Sequence, residues 1–273
     1  MIEDLIPRLL GWVPVSWRRT VIGRPDKPSG AAMLVHRLLN RLPRPESGVA
    51  ACHGALQGYR MSVDWECFRS FLYGTWEPNV VQAVTSAVRP GMRIVDVGAH
   101  IGYYTLLFAK CTGPSGHVVS FEPAAANFAV LKKNVELNNL LNVQLFHEAV
   151  YSRTGDITIN VPEDMHNSGN ASICHMDRSK PLQVKAITLD SFCASSNFRP
   201  DFLKMDVEGS EYEVLLGGRE VIAQSRPKML VELHHFDGNA ALNPVPDLLR
   251  KWAYDVQWLD RWDLTSHILA SPV

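Results

Sequence analysis

Acidic side chains and glycines follow an apolar run near the middle of this 273-residue sequence. Asp96 lies inside the run 93–97, and Gly98, His100 and Gly102 come directly after it. A glycine has no Cβ, so it allows a sharp turn and a close approach of the backbone to a ligand. The pattern predicts a strand, a tight turn and a helix, with the turn as a candidate binding loop.

Two more carboxylates stand at the ends of the next two apolar runs. Glu122 ends the run 117–123, and Glu148 with Ala149 ends the run 142–150. In an open parallel sheet, ligands bind beyond the carboxyl ends of the strands. Glu122 is therefore predicted to accept hydrogen bonds from two ribose hydroxyls, and Glu148 from an adenine amino group. The backbone at Ala149 would contact a ring nitrogen of the adenine.

Three carboxylates at the ends of successive strands are costly to cluster without a ligand that brings donors and positive charge. S-adenosylmethionine carries an ammonium, a sulfonium, a ribose diol and an adenine amine, so it is the predicted cofactor. A dinucleotide fits less well, because its pyrophosphate needs a glycine at the position that His100 holds. Each acid alone could cap a helix or face solvent, and only their succession favours the cofactor site.

Further acids and a histidine stand at the ends of the fourth and fifth predicted strands, namely Asp206, Glu232 and His234. S-adenosylmethionine gives up its methyl group by an in-line displacement, and an acceptor that is an alcohol would also have to lose a proton. In one arrangement His234 is the general base, and Asp206 or Glu232 orients it or acts directly. In the other, the three residues hold Mg²⁺. A histidine matches an all-oxygen Mg²⁺ site poorly, so the metal-free arrangement is narrowly favoured.

Strands alternate with helices from residue 91 onward. This alternation predicts an α/β fold with a doubly wound, mostly parallel sheet and helices on both faces. The runs 254–260 and 266–273 are predicted to form an antiparallel pair at the sheet edge. The polar stretch 162–177 lies between two exposed strands and is predicted to close over the acceptor as a lid.

In the first 57 residues, short apolar stretches alternate with proline, glycine and arginine. This segment is predicted to form a cap with an amphipathic helix over 31–42. The α/β domain is predicted to follow at 58–273. Between the cap segment and the first strand, Glu77 with its aromatic neighbours is predicted to close over the methionine portion of the cofactor. Packing beneath the cap is an equally open interpretation of these residues.

Composition narrows the function further. The net charge of −1 gives no overall attraction to nucleic acid. No apolar run approaches the roughly 20 residues of a membrane-spanning helix, and the N-terminus does not resemble a signal peptide. Five cysteines without C-x-x-C spacing indicate free thiols and a cytoplasmic protein. Self-association into a homo-oligomer is left open.

The sequence resembles the FkbM family of S-adenosylmethionine-dependent methyltransferases. The segment from Asp206 to Gly209, followed by Glu211, is the most specific match, and His100 stands where the family commonly has asparagine. The matching stretches are 73–78, 93–105, 116–123, 131–139, 187–192, 203–218 and 227–234.

The resemblance implies a class I, Rossmann-like methyltransferase fold. It also implies methyl transfer to a hydroxyl of a sugar, glycolipid or polyketide-type natural product, so the expected partner is a small-molecule or glycan acceptor. Methylation of nitrogen is the alternative reaction, although the motif that positions a planar amine is missing from the fourth strand. A non-catalytic binding module that keeps the fold is the other alternative.

Overall fold

The structure is a computed structural model that describes residues 49–63, 65–162, 179–235, 242–261 and 264–273. The chain divides into two compact units, Met1–Pro78 and Asn79–Val273. The cap helix predicted over 31–42 and the lid predicted over 162–177 lie almost entirely outside the described residues. The predicted domain boundary after residue 57 stays a prediction.

The described part of the first unit is small. Strands β1 (Val49–Ala51) and β2 (Arg60–Ser62) form an antiparallel pair. A 3-10 turn at Gly54–Leu56 and helix α1 (Trp65–Tyr73) accompany this pair. Helix α2 (Pro78–Ala87) then leads into the second unit.

A seven-stranded sheet forms the centre of the second unit. Six of its strands run parallel, and only β12 runs against its two neighbours. In spatial order the strands are β11 (Tyr254–Trp258), β12 (Thr265–Pro272), β10 (Lys228–His234), β9 (Phe202–Met205), β3 (Arg93–Val97), β4 (His117–Phe121) and β5 (Val143–Phe146). The predicted doubly wound, mostly parallel sheet is confirmed, and its antiparallel strand lies one position inside the edge strand β11.

Helices cover both faces of this sheet. On one face the helix Tyr103–Thr112 packs on β3 and β4, and the hydroxyl of Thr105 donates a hydrogen bond to Asp96. On the other face, residues of the helices Leu189–Ser196, Glu211–Gly217 and Arg219–Ser225 share a core with Val95 and Val97. The helices are α3 (Tyr103–Thr112), α4 (Ala125–Leu137), α5 (Leu189–Ser196), α6 (Glu211–Gly217), α7 (Arg219–Ser225) and α8 (Val245–Lys251).

A glycine pair divides one predicted helix into two. The sequence pattern predicts a single helix over 210–222, but α6 ends at Gly217 and α7 begins at Arg219. A Cβ on Gly217 would lie 2.1 Å from the backbone oxygen of Tyr151. The close approach of these two backbone segments therefore requires the glycine that interrupts the helix.

A second, three-stranded sheet flanks the first, with the order β6 (Ala149–Val150), β8 (Ser179–Ile187) and β7 (Gly155–Pro162). The run 142–150, predicted to be one strand, is thus shared between the two sheets, because β5 ends at Phe146. Within the described ranges, no helix has the length and apolar character needed to cross a bilayer.

Candidate functional site

A cleft lies at the carboxyl ends of β3, β4, β5 and β9, and its empty space, which opens to solvent, is about 630 Å³. The segments that follow these four strands supply most of its wall, and two isoleucines of β7 supply an apolar side. The residues that line it are Val97, Gly98, His100, Phe121, Glu122, Pro123, Asn127, Glu148, Ala149, Val150, Tyr151, Ile157, Ile159, Asp206, Val207, Glu208 and Ser210. Ligands of parallel α/β sheets bind at this position.

The glycine turn after β3 forms one wall of the cleft and has no room for a side chain. Gly98 has a φ of 75°, and a Cβ there would lie 1.8 Å from the backbone oxygen of Asp206. Gly102 has a φ of 95°, and a Cβ there would lie 2.7 Å from a methyl group of Leu131. Gly98 therefore lets the ends of β3 and β9 touch, and Gly102 lets α3 start close to α4.

Glu122 lies where the sequence predicts it, at the end of β4 and in the cleft wall. Its Oε2 accepts a hydrogen bond of 2.8 Å from the backbone N–H of His100, and its Oε1 accepts one of 2.9 Å from that of Ala124. Burial raises the pKa of this carboxyl to about 7, although the two backbone donors act in the opposite direction. The donors fix the carboxyl at the edge of the cleft.

Other residues predicted to bind the cofactor also reach the cleft. Glu148 and Ala149 line it beyond β5, as predicted from the sequence, and so does His100. Burial lowers the pKa of His100 to about 4, helped by the charge of Lys204, so this ring is neutral at physiological pH. Asn127, which sequence reasoning did not single out, completes this part of the wall.

Asp96 is placed differently from the prediction. It is fully buried beneath the glycine turn and is not among the residues that line the cleft. Its Oδ2 accepts a hydrogen bond of 2.6 Å from the Thr105 hydroxyl, and its Oδ1 lies 3.5 Å from Nζ of Lys204. This placement does not support direct contact with a cofactor, and it assigns Asp96 to holding the turn from below.

Glu77 belongs to the first unit, where it stands directly before α2 with a φ of 37°. Its predicted contact with the cofactor stays a prediction.

Asp206, Glu232 and His234 come together at the ends of β9 and β10, as the sequence predicts. One ligand atom from each lies within 4.8 Å of the others. Asp206 lines the cleft, and its side chain is 28% exposed. Burial and the negative charge of Glu232 raise the pKa of Asp206 well above its ordinary value, against the effect of Lys204.

His234 is clamped between two carboxylates. Its Nδ1 lies 2.8 Å from Oε1 of Glu211, and its Nε2 lies 3.1 Å from Oε2 of Glu208. Burial opposes a charge on the ring, but the two carboxylates prevail and raise the pKa of His234 to about 12. A protonated imidazole has no lone pair with which to accept a proton, so this geometry disfavours the free base that the sequence suggested.

A second clamped histidine holds Glu232. Nε2 of His267 lies 3.4 Å from Oε2 of Glu232, and its Nδ1 lies 2.9 Å from Oδ1 of Asp260. Burial would raise the pKa of Glu232, but the adjacent ring of His267 lowers it to about 2, with help from the charges of His234 and Lys204. Glu232 is therefore ionised beside Asp206.

The alternative of a Mg²⁺ site finds little support in these contacts. Both ring nitrogens of His234 already face carboxylates, and Nζ of Lys204 lies 3.5 Å from Oδ2 of Asp206. A cation would have to displace Glu208 and compete with the lysine charge, and Mg²⁺ prefers oxygen ligands in any case. The cluster fits a network of ion pairs better than a magnesium site.

The His234 clamp predicts a loss of stability at alkaline pH. Because its folded pKa is raised from 6.5 to about 12, its contribution is complete below about pH 6.5 and declines as pH rises towards 12. We expect the free energy of unfolding in urea to fall from about pH 7 to 10. The fall should be shallower in His234→Gln, which lacks the titrating ring, and equal slopes in the two proteins would contradict the clamp.

Sequence reasoning missed two polar residues of this region, Lys204 and His267, and it did not pair Glu211 with His234. A signal for Lys204 was present, since it is the only charged residue within the otherwise apolar strand Phe202–Met205. The partners of Glu211 and His267 depend on the packing of α6 and β12 against β10, for which the sequence carried no comparable signal.

Comparison with known proteins shows the family of the chain. The model of the methyltransferase FkbM domain matches residues 96–256, more than half of the chain. Methyltransferase 1 of Beauveria bassiana is 30% identical over 144 residues, which are 45% of this chain and 57% of that protein.

Two other relatives match over longer stretches. The 2-O-methyltransferase NoeI of Sinorhizobium fredii is 24% identical over 185 residues, 62% of this chain and 75% of the relative. The 31-O-demethyl-FK506 methyltransferase FkbM of Streptomyces tacrolimicus is 26% identical over 198 residues, with the same two shares. By contrast, this chain spans little more than half of the length of the Beauveria protein.

Proposed function

The chain belongs to the FkbM methyltransferase family, and from this premise we propose that it methylates a hydroxyl group with S-adenosylmethionine as the methyl donor. The proposed acceptor is a sugar, a glycolipid or a polyketide-type natural product. The family predicted from the sequence is confirmed by the match over residues 96–256. The cleft is the observation that carries the proposal, because acids that follow three parallel strands of one sheet line it at the place where such sheets bind ligands.

The residues of the cleft fit this cofactor. Glu122 presents a carboxyl at the end of β4 for a ribose diol, and Glu148 and Ala149 stand beyond β5, where an adenine would lie. Gly98, beyond β3, lines the same cleft and lets the ends of β3 and β9 approach closely. When bound, the cofactor supplies a methyl group on a positively charged sulfur. Four carboxyls in the lining suit such a cation.

Asp206 is the proposed general base. It lines the cleft, and its raised pKa brings it closer to the pH at which a carboxylate accepts a proton readily. As the acceptor oxygen bonds to the methyl carbon and the carbon–sulfur bond breaks, the hydroxyl proton would pass to Asp206. Glu232 stays ionised beside it, and the charge on His234 holds Glu208 in place.

The names of two relatives support oxygen as the methylated atom. One is called a 2-O-methyltransferase, and the other is called a 31-O-demethyl-FK506 methyltransferase. Isothermal titration with S-adenosylmethionine and S-adenosylhomocysteine tests the cofactor. Transfer of a tritiated methyl group to neutral glycosides, glycolipids and macrolide alcohols then tests the acceptor. Absence of cofactor binding at hundreds of micromolar would refute the proposal, and labelling of amines alone would refute the choice of oxygen.

Loss of the Glu122 carboxyl should weaken cofactor binding. We expect Glu122→Ala to lower the affinity for S-adenosylmethionine by about 1–3 kcal/mol, because a charged acceptor for two hydroxyls disappears. Titration calorimetry of the two proteins measures the difference. Glu136→Ala is the matched control, since Glu136 lies on exposed α4 surface and pairs only with Lys132 at 3.9 Å in the contacts described. An unchanged dissociation constant in Glu122→Ala would mean that the ribose is held elsewhere.

A further inference from the structure

A buried ammonium lies directly behind the cleft. Lys204 is 4% exposed and stands in β9. Its Nζ donates a hydrogen bond of 2.8 Å to the backbone oxygen of Gly98, and it lies 3.5 Å from both Oδ1 of Asp96 and Oδ2 of Asp206. A buried charge is tolerated only when it is well paired, and these three oxygens supply the pairing.

The lysine is close enough to act on whatever the cleft binds. Gly98 and Asp206 both line the cleft, and the ammonium of Lys204 contacts both of them from behind. Its charge also lowers the pKa of four groups in and beside the cleft, which are His100, Glu122, Asp206 and Glu232. One positive charge thus influences the whole site.

In the part of the chain that the structure describes, the cleft lining contains no lysine or arginine of its own. It has four carboxyls, at Glu122, Glu148, Asp206 and Glu208. Lys204 therefore offsets part of the negative charge of these carboxyls without itself lining the cleft.

We propose that Lys204 is an internal counter-ion that sets the preference of the cleft between the charged cofactor and its neutral product. This inference rests on the proposed function. S-adenosylmethionine and S-adenosylhomocysteine have nearly the same shape, but methyl transfer removes the positive charge of the sulfur. A fixed ammonium behind the wall disfavours the charged form and leaves the neutral form unaffected, so it holds the two affinities closer together.

The ratio of two dissociation constants, for S-adenosylhomocysteine over S-adenosylmethionine, measures this effect. Lys204→Met and Lys204→Gln remove the charge and should raise the ratio about tenfold, the order expected for one unit charge several ångströms away in a partly screened site. Titration calorimetry at low salt and about pH 8.5 is suitable, because fewer carboxyls then take up a proton in place of the lost ammonium. Lys204→Arg keeps the charge and should keep the ratio within about twofold.

Asp96→Asn tests the opposite change of charge, which should change the ratio of the two dissociation constants in the opposite direction. This nearly isosteric change removes a negative charge that lies 3.5 Å from the lysine, so the ratio should fall. A purely structural role for Lys204 would weaken both ligands equally and leave the ratio unchanged. Lys132→Met, at an exposed lysine of α4, is the control and should change neither affinity.

The outcomes are separable. A ratio that is unchanged in Lys204→Gln, or that does not fall in Asp96→Asn, overturns the counter-ion while the proposed function survives. If the wild-type protein binds neither ligand, the proposed function itself fails. If both uncharged Lys204 variants fail to fold, Asp96→Asn and Lys204→Arg still decide, since the first must lower the ratio and the second must preserve it.

Discussion

Replacement of Asp206 by asparagine is expected to slow methyl transfer by about 10²–10⁴-fold, the usual contribution of a general base. The side chain keeps its shape but can no longer accept the hydroxyl proton. Binding of S-adenosylhomocysteine should persist, because Gly98, Glu122 and Glu148 are unchanged. The rate of transfer is measured in single turnover with a glycoside, glycolipid or macrolide alcohol that the wild-type protein labels. Titration with S-adenosylhomocysteine measures the binding.

The pH profile and a metal chelator separate Asp206 from its alternatives. A carboxyl with a raised pKa must ionise before it can act, so wild-type activity should fall as pH drops through that raised value. Activity should survive exhaustive chelation, and a strict requirement for Mg²⁺ would instead support the alternative site of Asp206, Glu232 and His234. Glu213→Gln, a change of a half-buried glutamate outside the cleft lining, should leave the rate near that of the wild type.

Gly98→Ala is expected to abolish cofactor binding at millimolar ligand and to destabilise the fold by several kcal/mol. The new Cβ would lie 1.8 Å from the backbone oxygen of Asp206, so one of the two strand ends must move. Moving either strand end costs free energy, because overpacking a closely packed interior forces the backbone to shift. Thermal or urea unfolding and titration with S-adenosylmethionine measure the two effects.

Gly113→Ala separates this collision from backbone strain. Gly113 also has a positive φ, of 64°, but a Cβ there would meet nothing within 4 Å. Its ψ of −174° places it in a backbone region that is essentially restricted to glycine, so alanine there should cost about 1–3 kcal/mol of stability and should leave cofactor binding normal. Similar losses of stability and binding in both variants would show that the contact between Gly98 and Asp206 is unimportant.

The sequence predicted the strand ends, the turn after β3 and part of the cleft lining. The strand Arg93–Val97, the helix Tyr103–Thr112 and the placement of Glu122 and Glu148 all follow from apolar runs that end in turn residues. Local signals of this kind suffice, because parallel strands bring their carboxyl ends to one edge. The same signals could not show that Asp96 lies beneath the turn, since that depends on Thr105 and Lys204 from neighbouring elements.

The cluster at the ends of β9 and β10 depends more on tertiary contacts. The sequence placed Asp206, Glu232 and His234 together, but it could not show that Glu208 and Glu211 enclose the ring of His234. An exposed histidine has a pKa near neutrality, and this one is raised to about 12 by partners on another element. The chemistry of the residue was therefore set by packing and not by its type or its place in the chain.

The position of β12 has a consequence for the order in which the sheet folds. This strand is inserted between β10 and β11, although both precede it in the chain. Until β12 forms, β10 keeps an unpaired edge of backbone donors and acceptors, which is a template for pairing with other chains. The insertion also brings His267 opposite Glu232, so the ion pair between these two residues, beside the proposed base, forms only at that step. A nascent chain would therefore be most prone to aggregation just before its acid cluster is complete.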